Sequence, residues 1–88
     1  MNKKNRMNNE EHVKMLMEKD AEDKRNALSH LTKALSYTDC GVLDMQYDQE
    51  KEIVIVTFLS GAKRIANVEM DSTAAMMYDI FKQIEWLR

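Results

Sequence analysis

Apolar and polar residues follow two different periods along the chain. From Asn8 to about Tyr37, apolar side chains recur every three or four residues in the first and last parts of the segment, which predicts a helix. The same period returns at Asp71 or Ser72 and predicts a second helix that ends near Leu87. Between the helices, apolar and polar residues alternate over three short segments, as they do in strands with one buried face. These predicted strands are residues 42–48, 52–59 and 62–69.

The connections between the predicted strands are too short to hold a crossover helix, so the strands form an antiparallel meander with the second strand in the middle. The order α-β-β-β-α predicts an α+β fold in which both helices pack on one face of a three-stranded sheet. The second helix turns one apolar face to this sheet, made of Met77, Ile80, Phe81, Ile84 and Leu87.

The first predicted helix carries a polar stretch in its middle. Residues 18–26 are polar all round, whereas an apolar face resumes at Leu28. A helix without an apolar face is solvated or contacts something outside its domain. We therefore expect residues 1–26 to form a polar helical arm and residues 27–88 to form a single α+β domain.

The two turns of the meander predict which face of the sheet is buried. A four-residue loop over 48–51 sets Tyr47 opposite Glu52, and a three-residue loop over 59–61 leaves only Gly61 at positive φ. Both turns place the same residues on the face toward the helices. These residues are Leu43, Met45, Tyr47, Val54, Val56, Phe58, Ala62, Ala66 and Val68.

The opposite face of the predicted sheet carries aliphatic side chains among polar ones. The aliphatic residues are Val42, Ile53, Ile55 and Ile65, and the polar residues include Asp44, Gln46, Lys63 and Asn67. Ile55 lies opposite Ile65, so the aliphatic side chains are adjacent. A contiguous apolar patch with a polar rim is typical of a contact surface. We expect Val42, Ile53, Ile55 and Ile65 to form an interface with a second copy or with another protein.

Charge is divided unevenly along the chain. Residues 1–26 hold seven Lys or Arg and six Asp or Glu, whereas residues 27–88 hold six and nine. Binding of phosphates requires clustered cations, so nucleic acid is an unfavourable partner for the folded part. Only the basic tip, Lys3, Lys4 and Arg6, leaves nucleic-acid binding open as an alternative.

The remaining composition indicates the compartment. The single cysteine, Cys40, has no partner for an internal disulfide, which favours a reducing compartment. No segment has the roughly 18 apolar residues of a membrane span, and no apolar run of a signal peptide follows the N-terminus. The sequence therefore predicts a cytoplasmic protein that does not bind membranes.

Residues able to carry chemistry are few and scattered. His12 and His30 lie 18 positions apart, and neither has a second ligand at the spacing of a helical metal pair. Cys40 has no nearby histidine to act as a base. The chain also has no glycine-rich phosphate loop and no nucleophile motif. We expect no catalysis, no metal and no cofactor.

Two resemblances bear on the interpretation. The element order resembles the double-stranded-RNA-binding domain, which binds phosphates with a lysine cluster at the start of its last helix. That start, residues 71–77, carries no cation here, so the resemblance is one of topology without the binding residues. The second resemblance rests on residues 64–72, followed by the pairs Ala75-Met76, Asp79-Ile80 and Gln83-Ile84. With these residues, the segment 42–85 is similar to small uncharacterised proteins of Firmicutes and their mobile elements, which implies a bacterial accessory protein and no particular activity.

Together these observations favour a non-catalytic, self-associating protein-interaction module of a bacterial accessory or mobile-element type. Two alternatives stay open. One is a nucleic-acid-binding module that uses the basic tip, and the other is a regulator of a larger complex in which residues 1–26 fold onto a partner.

Overall fold

The chain folds in the order helix, three antiparallel strands, helix, which confirms the predicted α+β fold. The computed structural model describes residues 9–83. Its elements are α1 (Asn9–Leu35), β1 (Val42–Asp48), β2 (Ile53–Phe58), β3 (Lys63–Asn67) and α2 (Thr73–Gln83). The strands lie in the order β1-β2-β3, and each neighbouring pair is antiparallel.

Both helices pack against the same face of the sheet. Leu28 of α1 and Ile80 of α2 are buried against the central strand residues Val54 and Val56. The second residue that α2 buries is Met76, which lies one turn before Ile80. The buried side of α2 is therefore centred about one residue earlier in the chain than the predicted apolar face. Met77 is half-buried against the core and Phe81 is exposed, while Ile84 and Leu87 lie outside the described residues.

Ser72 begins α2 as its N-cap. Its hydroxyl oxygen accepts a hydrogen bond from the Ala75 N–H at 3.1 Å, and its carbonyl accepts one from the Met76 N–H at 2.8 Å. The first bond satisfies an N–H group that the first helical turn leaves without a partner, and the second is the first backbone hydrogen bond of the helix. Of the two predicted caps, Ser72 is confirmed and Asp71 is free for another role.

The predicted buried face is confirmed except at two positions. Met45, Val54, Val56, Ala66 and Val68 are buried, and Tyr47 and Phe58 pack at the margin of the core. Leu43, however, is 55% exposed, and Ala62 is exposed as well. The prediction that these two side chains are buried was wrong.

A β-bulge in β1 explains the error at Leu43. Val42 pairs with Phe58, but Asp44 pairs with Thr57, so Leu43 is an extra residue in the ladder. An extra residue changes the alternation of faces on one side of the bulge. Val42 therefore turns into the core and is 5% exposed. Its predicted place in an exposed interface was wrong.

The loop between β1 and β2 is shifted from its predicted position. Asp48 pairs with Ile53, so the loop covers residues 49–52, and the predicted pair of Tyr47 with Glu52 does not form. The Asp48 carboxylate accepts hydrogen bonds from the N–H groups of Glu50 at 3.0 Å and Lys51 at 3.1 Å. This Asx-type turn favours the later start of the loop. The register moves by two residues, so each side chain keeps its predicted face.

The turn between β2 and β3 is confirmed. The Phe58 N–H donates to the Ala62 carbonyl at 2.8 Å, which leaves the three-residue loop 59–61. Gly61 adopts a φ of 93°, the left-handed conformation that a residue with a Cβ atom adopts at a cost. The expected turn chemistry therefore holds at this hairpin.

Two residues in the middle of α1 are buried, contrary to the expectation that residues 18–26 are solvated on all sides. Ala21 is buried, and Lys24 is only 2% exposed. The Lys24 ammonium lies 2.9 Å from an Asp20 carboxylate oxygen and 5.3 Å from the centre of the Tyr47 ring. A lysine stem buries as apolar surface while its charged end finds partners. Among the described residues of α1, burial therefore begins at Ala21, five residues before Asn26.

The outer edge of β3 is covered at one position by the end of α2. The Gln83 side-chain oxygen accepts a hydrogen bond from the Asn67 N–H at 2.8 Å, and its nitrogen donates to the Asn67 carbonyl at 2.6 Å. Both backbone groups of Asn67 are thus satisfied by one amide side chain.

Candidate contact surfaces

The first candidate surface is the sheet face opposite the helices, which we call the open sheet face. Within residues 9–83 no helix or loop covers it. Ile55 of β2 pairs directly with Ile65 of β3, and Ile53 lies two residues along β2 on the same side. Ile65 is 63% exposed, and the other two isoleucines are half-buried. These three residues, without Val42, remain of the four predicted for an interface.

The second candidate surface begins at the N-terminal part of α1, which extends beyond the sheet. Residues 10–20 are all exposed, and the described part of the chain is 58 Å long against 21 and 20 Å in the other directions. Val13, Met17 and Ala21 follow one another at intervals of four residues along α1, and Lys24 lies three residues further on; Ala21 and Lys24 are buried. We call residues 10–20 the overhang. Its apolar side continues the core-facing side of α1.

A concave groove of about 680 Å³ lies between the overhang and the end of the sheet. We call it the notch. The residues that matter below are Val13 and Met17 on the overhang, Glu50 and Glu52 in the β1–β2 loop, and Met70 and Asp71 before α2. Met70 is 88% exposed, so the notch presents apolar side chains on both sides.

Two residues of the notch have left-handed backbone conformations without being glycine. Glu52 has a φ of 51° and Met70 a φ of 63°. The Met70 N–H donates to the Glu52 carboxylate at 3.0 Å, and the Glu52 carbonyl accepts from the Val68 N–H at 3.0 Å. These bonds hold both residues in a conformation that costs about 1–2 kcal/mol per residue. Backbone strain of this kind concentrates at functional sites.

The notch is acidic. Burial lowers the pKa of Lys24, but its hydrogen bond to Asp20 and its electrostatic interactions with Tyr47, Asp20 and Glu52 outweigh burial, so the pKa lies above its ordinary value. Lys24 is therefore charged but already paired. Burial raises the pKa of Asp71, and the carboxyl group of Asp79 raises it further. One Asp71 oxygen is shielded from solvent without a hydrogen-bond partner among the described residues.

The other residues considered for chemistry do not come together. His12 and His30 are both exposed on α1. The thiol of Cys40 is half-buried and donates to the Leu35 carbonyl at 3.9 Å. Across residues 9–83, no three side chains of His, Cys, Asp or Glu are grouped as metal ligands.

The notch was not predicted from the sequence, because its walls come from three separate segments. One feature of the sequence nevertheless indicated part of it. Val13 and Met17 share the helical spacing of Ala21 and Leu28, so a single stripe extends through the polar middle of α1. The basic tip, Lys3, Lys4 and Arg6, lies outside the described residues.

Neither helix in the described part of the chain has the length and apolar character that crossing a membrane requires. Comparison with protein-family models returned no match, and comparisons with curated proteins and with solved structures returned none either. The resemblances drawn from the sequence therefore stay predictions, and the function is argued from the two surfaces.

Proposed function

We propose that this protein is a non-catalytic interaction module that self-associates through the open sheet face. The observation that carries the proposal is the direct pairing of Ile55 with Ile65 on the face that no described helix covers. Ile53 extends the patch along β2, and Gln46, next to Ile55 on β1, contributes to a polar rim. A contiguous apolar patch with such a rim is the usual form of a protein contact surface.

The expected strength of the association follows from what remains exposed. Full burial of an isoleucine contributes about 1.5–3 kcal/mol, and the three isoleucines have roughly half of that left to bury, which amounts to about 4–9 kcal/mol for two protomers. Association itself costs about 4–15 kcal/mol in lost freedom of motion. The favourable ends of the two ranges leave about 5 kcal/mol, so we expect a weak, reversible dimer with a Kd of about 0.2 mM.

The test is a matched pair of substitutions on adjacent residues of β2. Ile55→Glu places a charge on the open sheet face and should give a folded monomer. Val56→Glu places the same charge in the core, where an unpaired carboxylate is strongly unfavourable, and should unfold the protein. Sedimentation equilibrium reports the association, and circular dichroism with thermal unfolding reports the fold.

Ile65→Glu supplies a second test of the same patch, because Ile65 is exposed on an edge strand. Dissociation by both Ile55→Glu and Ile65→Glu supports the proposal. A wild-type protein that remains monomeric at several hundred micromolar contradicts it, as does a dimer that both substitutions leave intact.

The partner in this proposal is a second copy of the chain, and the setting is the cytoplasm of a bacterium. The unpaired Cys40 supports a reducing compartment. Nucleic-acid binding through the basic tip is the competing hypothesis. A duplex titration separates the two, because phosphate contacts give an affinity that falls steeply with salt, whereas apolar association changes little.

A further inference from the structure

The overhang presents an apolar surface without a described partner. Met17 is 55% exposed, although it lies on the side of α1 that buries Ala21 one turn later. A helix stripe that is buried over half its length and exposed over the rest indicates that something else covers the exposed part. Met70 faces the same notch from the other side and is more exposed still.

The charge of the notch selects among possible occupants. Lys24 is neutralised by Asp20, whereas Glu50, Glu52 and Asp71 form no ion pair with a basic residue of the described chain. A segment with cationic side chains would relieve the mutual repulsion of these carboxylates. A neutral or acidic segment would bury them uncompensated.

A second copy of the chain is a poor fit for the same reason. The overhang itself carries four acidic residues, Glu10, Glu11, Glu18 and Asp20, and only two basic ones, Lys14 and Lys19. Insertion of one overhang into the notch of another molecule would bring acidic residues against acidic residues. Like charges across an interface disfavour that pairing.

From these observations we propose that the notch binds a cationic amphipathic helix of a different protein. The apolar side of that helix packs between Met17 and Met70, and its Lys or Arg residues face Glu50 and Asp71. Recognition of an amphipathic helix in an apolar groove is a common mode of peptide binding. This site is separate from the open sheet face, so the protein can bind such a helix whether or not it self-associates.

The probe is a fluorescein-labelled synthetic helix of leucine and lysine with one apolar face, about 18 residues or five turns long. Its binding to the full-length protein is followed by fluorescence anisotropy. Two further peptides serve as controls: one has the same composition with its leucines scattered around the helix, and the other has glutamate in place of lysine. We expect binding of the first peptide and at least tenfold weaker binding of both controls.

The decisive variants are Met17→Ser and Met15→Ser. The two methionines are two positions apart and similarly exposed, at 55% and 50%, but only Met17 lines the notch. We expect Met17→Ser to weaken binding about fivefold or more and Met15→Ser to change it less than about twofold. Glu50→Gln should also weaken binding, whereas Glu22→Gln, on the exposed back of α1, should not. Circular dichroism verifies that every variant is folded.

Other outcomes would overturn the proposal. Equal effects of Met15→Ser and Met17→Ser mean that the peptide does not bind in the notch. Binding that appears only after Lys3, Lys4 and Arg6 are replaced by Gln means that the chain's own N-terminus occupies the notch. Self-association that Met17→Ser abolishes means that the occupant is a second copy. Ile55→Glu should leave peptide binding unchanged, which keeps this test independent of the proposed dimer.

Discussion

Replacing Lys24 tests why the polar middle of α1 is buried. Lys24→Ala removes three methylene groups and the ammonium, whereas Lys24→Met removes the charge and keeps most of the stem. Three buried methylene groups correspond to about 2.4 kcal/mol at about 0.8 kcal/mol each, and the cavity left behind adds to that loss. We expect Lys24→Ala to lower the free energy of unfolding by about 2–4 kcal/mol.

Lys24→Met should change stability by less than about 1 kcal/mol, because two effects oppose each other. The variant loses the contact with Asp20 and the position of the ammonium over the Tyr47 ring, which is worth about 0.5–2 kcal/mol. It also avoids the cost of burying a charge, and Asp20 remains about half exposed to water.

Urea unfolding of the wild type and both variants, followed by far-UV circular dichroism, measures these differences. A loss with Lys24→Met as large as that with Lys24→Ala would show that the charge and not the stem holds α1 to the sheet. No loss with either variant would show that α1 is not packed at this position, and the assignment of the core boundary to Ala21 would be wrong.

Three further predictions concern the notch and the ends of the packed region. The free energy of unfolding should be about 3 kcal/mol lower for a chain that begins at residue 27 than for one that begins at residue 19, because the shorter chain lacks the buried Ala21 and Lys24. Equal urea midpoints for the two chains would contradict this. Met70→Asn should raise the melting temperature by a few degrees, because asparagine tolerates the left-handed conformation better than methionine does. Removal of the methionine side chain costs little buried surface, since Met70 is largely exposed. A lower melting temperature would refute this prediction. Asp71→Asn should stabilise the protein more at pH 7 than at pH 4 in urea unfolding. Because the pKa of Asp71 is raised, its stabilising contribution is present when the carboxyl is protonated and is lost as pH rises through that pKa, whereas asparagine stays neutral. If the gain in stability from Asp71→Asn became smaller toward pH 7, this prediction would be wrong.

The order of elements and most of the buried face could be predicted, because both follow from local patterns. The hairpin between β2 and β3 is an example, since Gly61 allows the three-residue turn and the turn determines the register. The first hairpin retained its predicted faces for a weaker reason. Its register moved by two residues, and a shift of one would have exchanged the faces.

The bulge in β1 could not be predicted in the same way. No residue near Leu43 marks an insertion in the ladder, and alternation alone places Val42 on the open sheet face. The insertion is visible only in the pairing with β2, where the Leu59 N–H donates to the Gly41 carbonyl at 2.8 Å beyond the bulge. A tertiary pairing of this kind overrides the local pattern.

The burial of Lys24 and the existence of the notch could not be predicted from the sequence, for two different reasons. Lys24 counts as polar in any pattern, yet its stem is buried as apolar surface once Asp20 and Tyr47 are placed beside its charge. The notch requires α1, the β1–β2 loop and the segment before α2 to meet in space. Its strained residues, Glu52 and Met70, carry no sign of a positive φ in their residue type.

By bonding both backbone groups of Asn67, the Gln83 amide takes the place of an additional strand at that end of β3. A strand from another molecule finds no free donor or acceptor there and must displace Gln83 to pair at that position. Exposed strand edges are the route by which sheets grow into ribbons and fibres. At the position of Asn67, Gln83 therefore opposes the open-ended growth that a free strand edge allows.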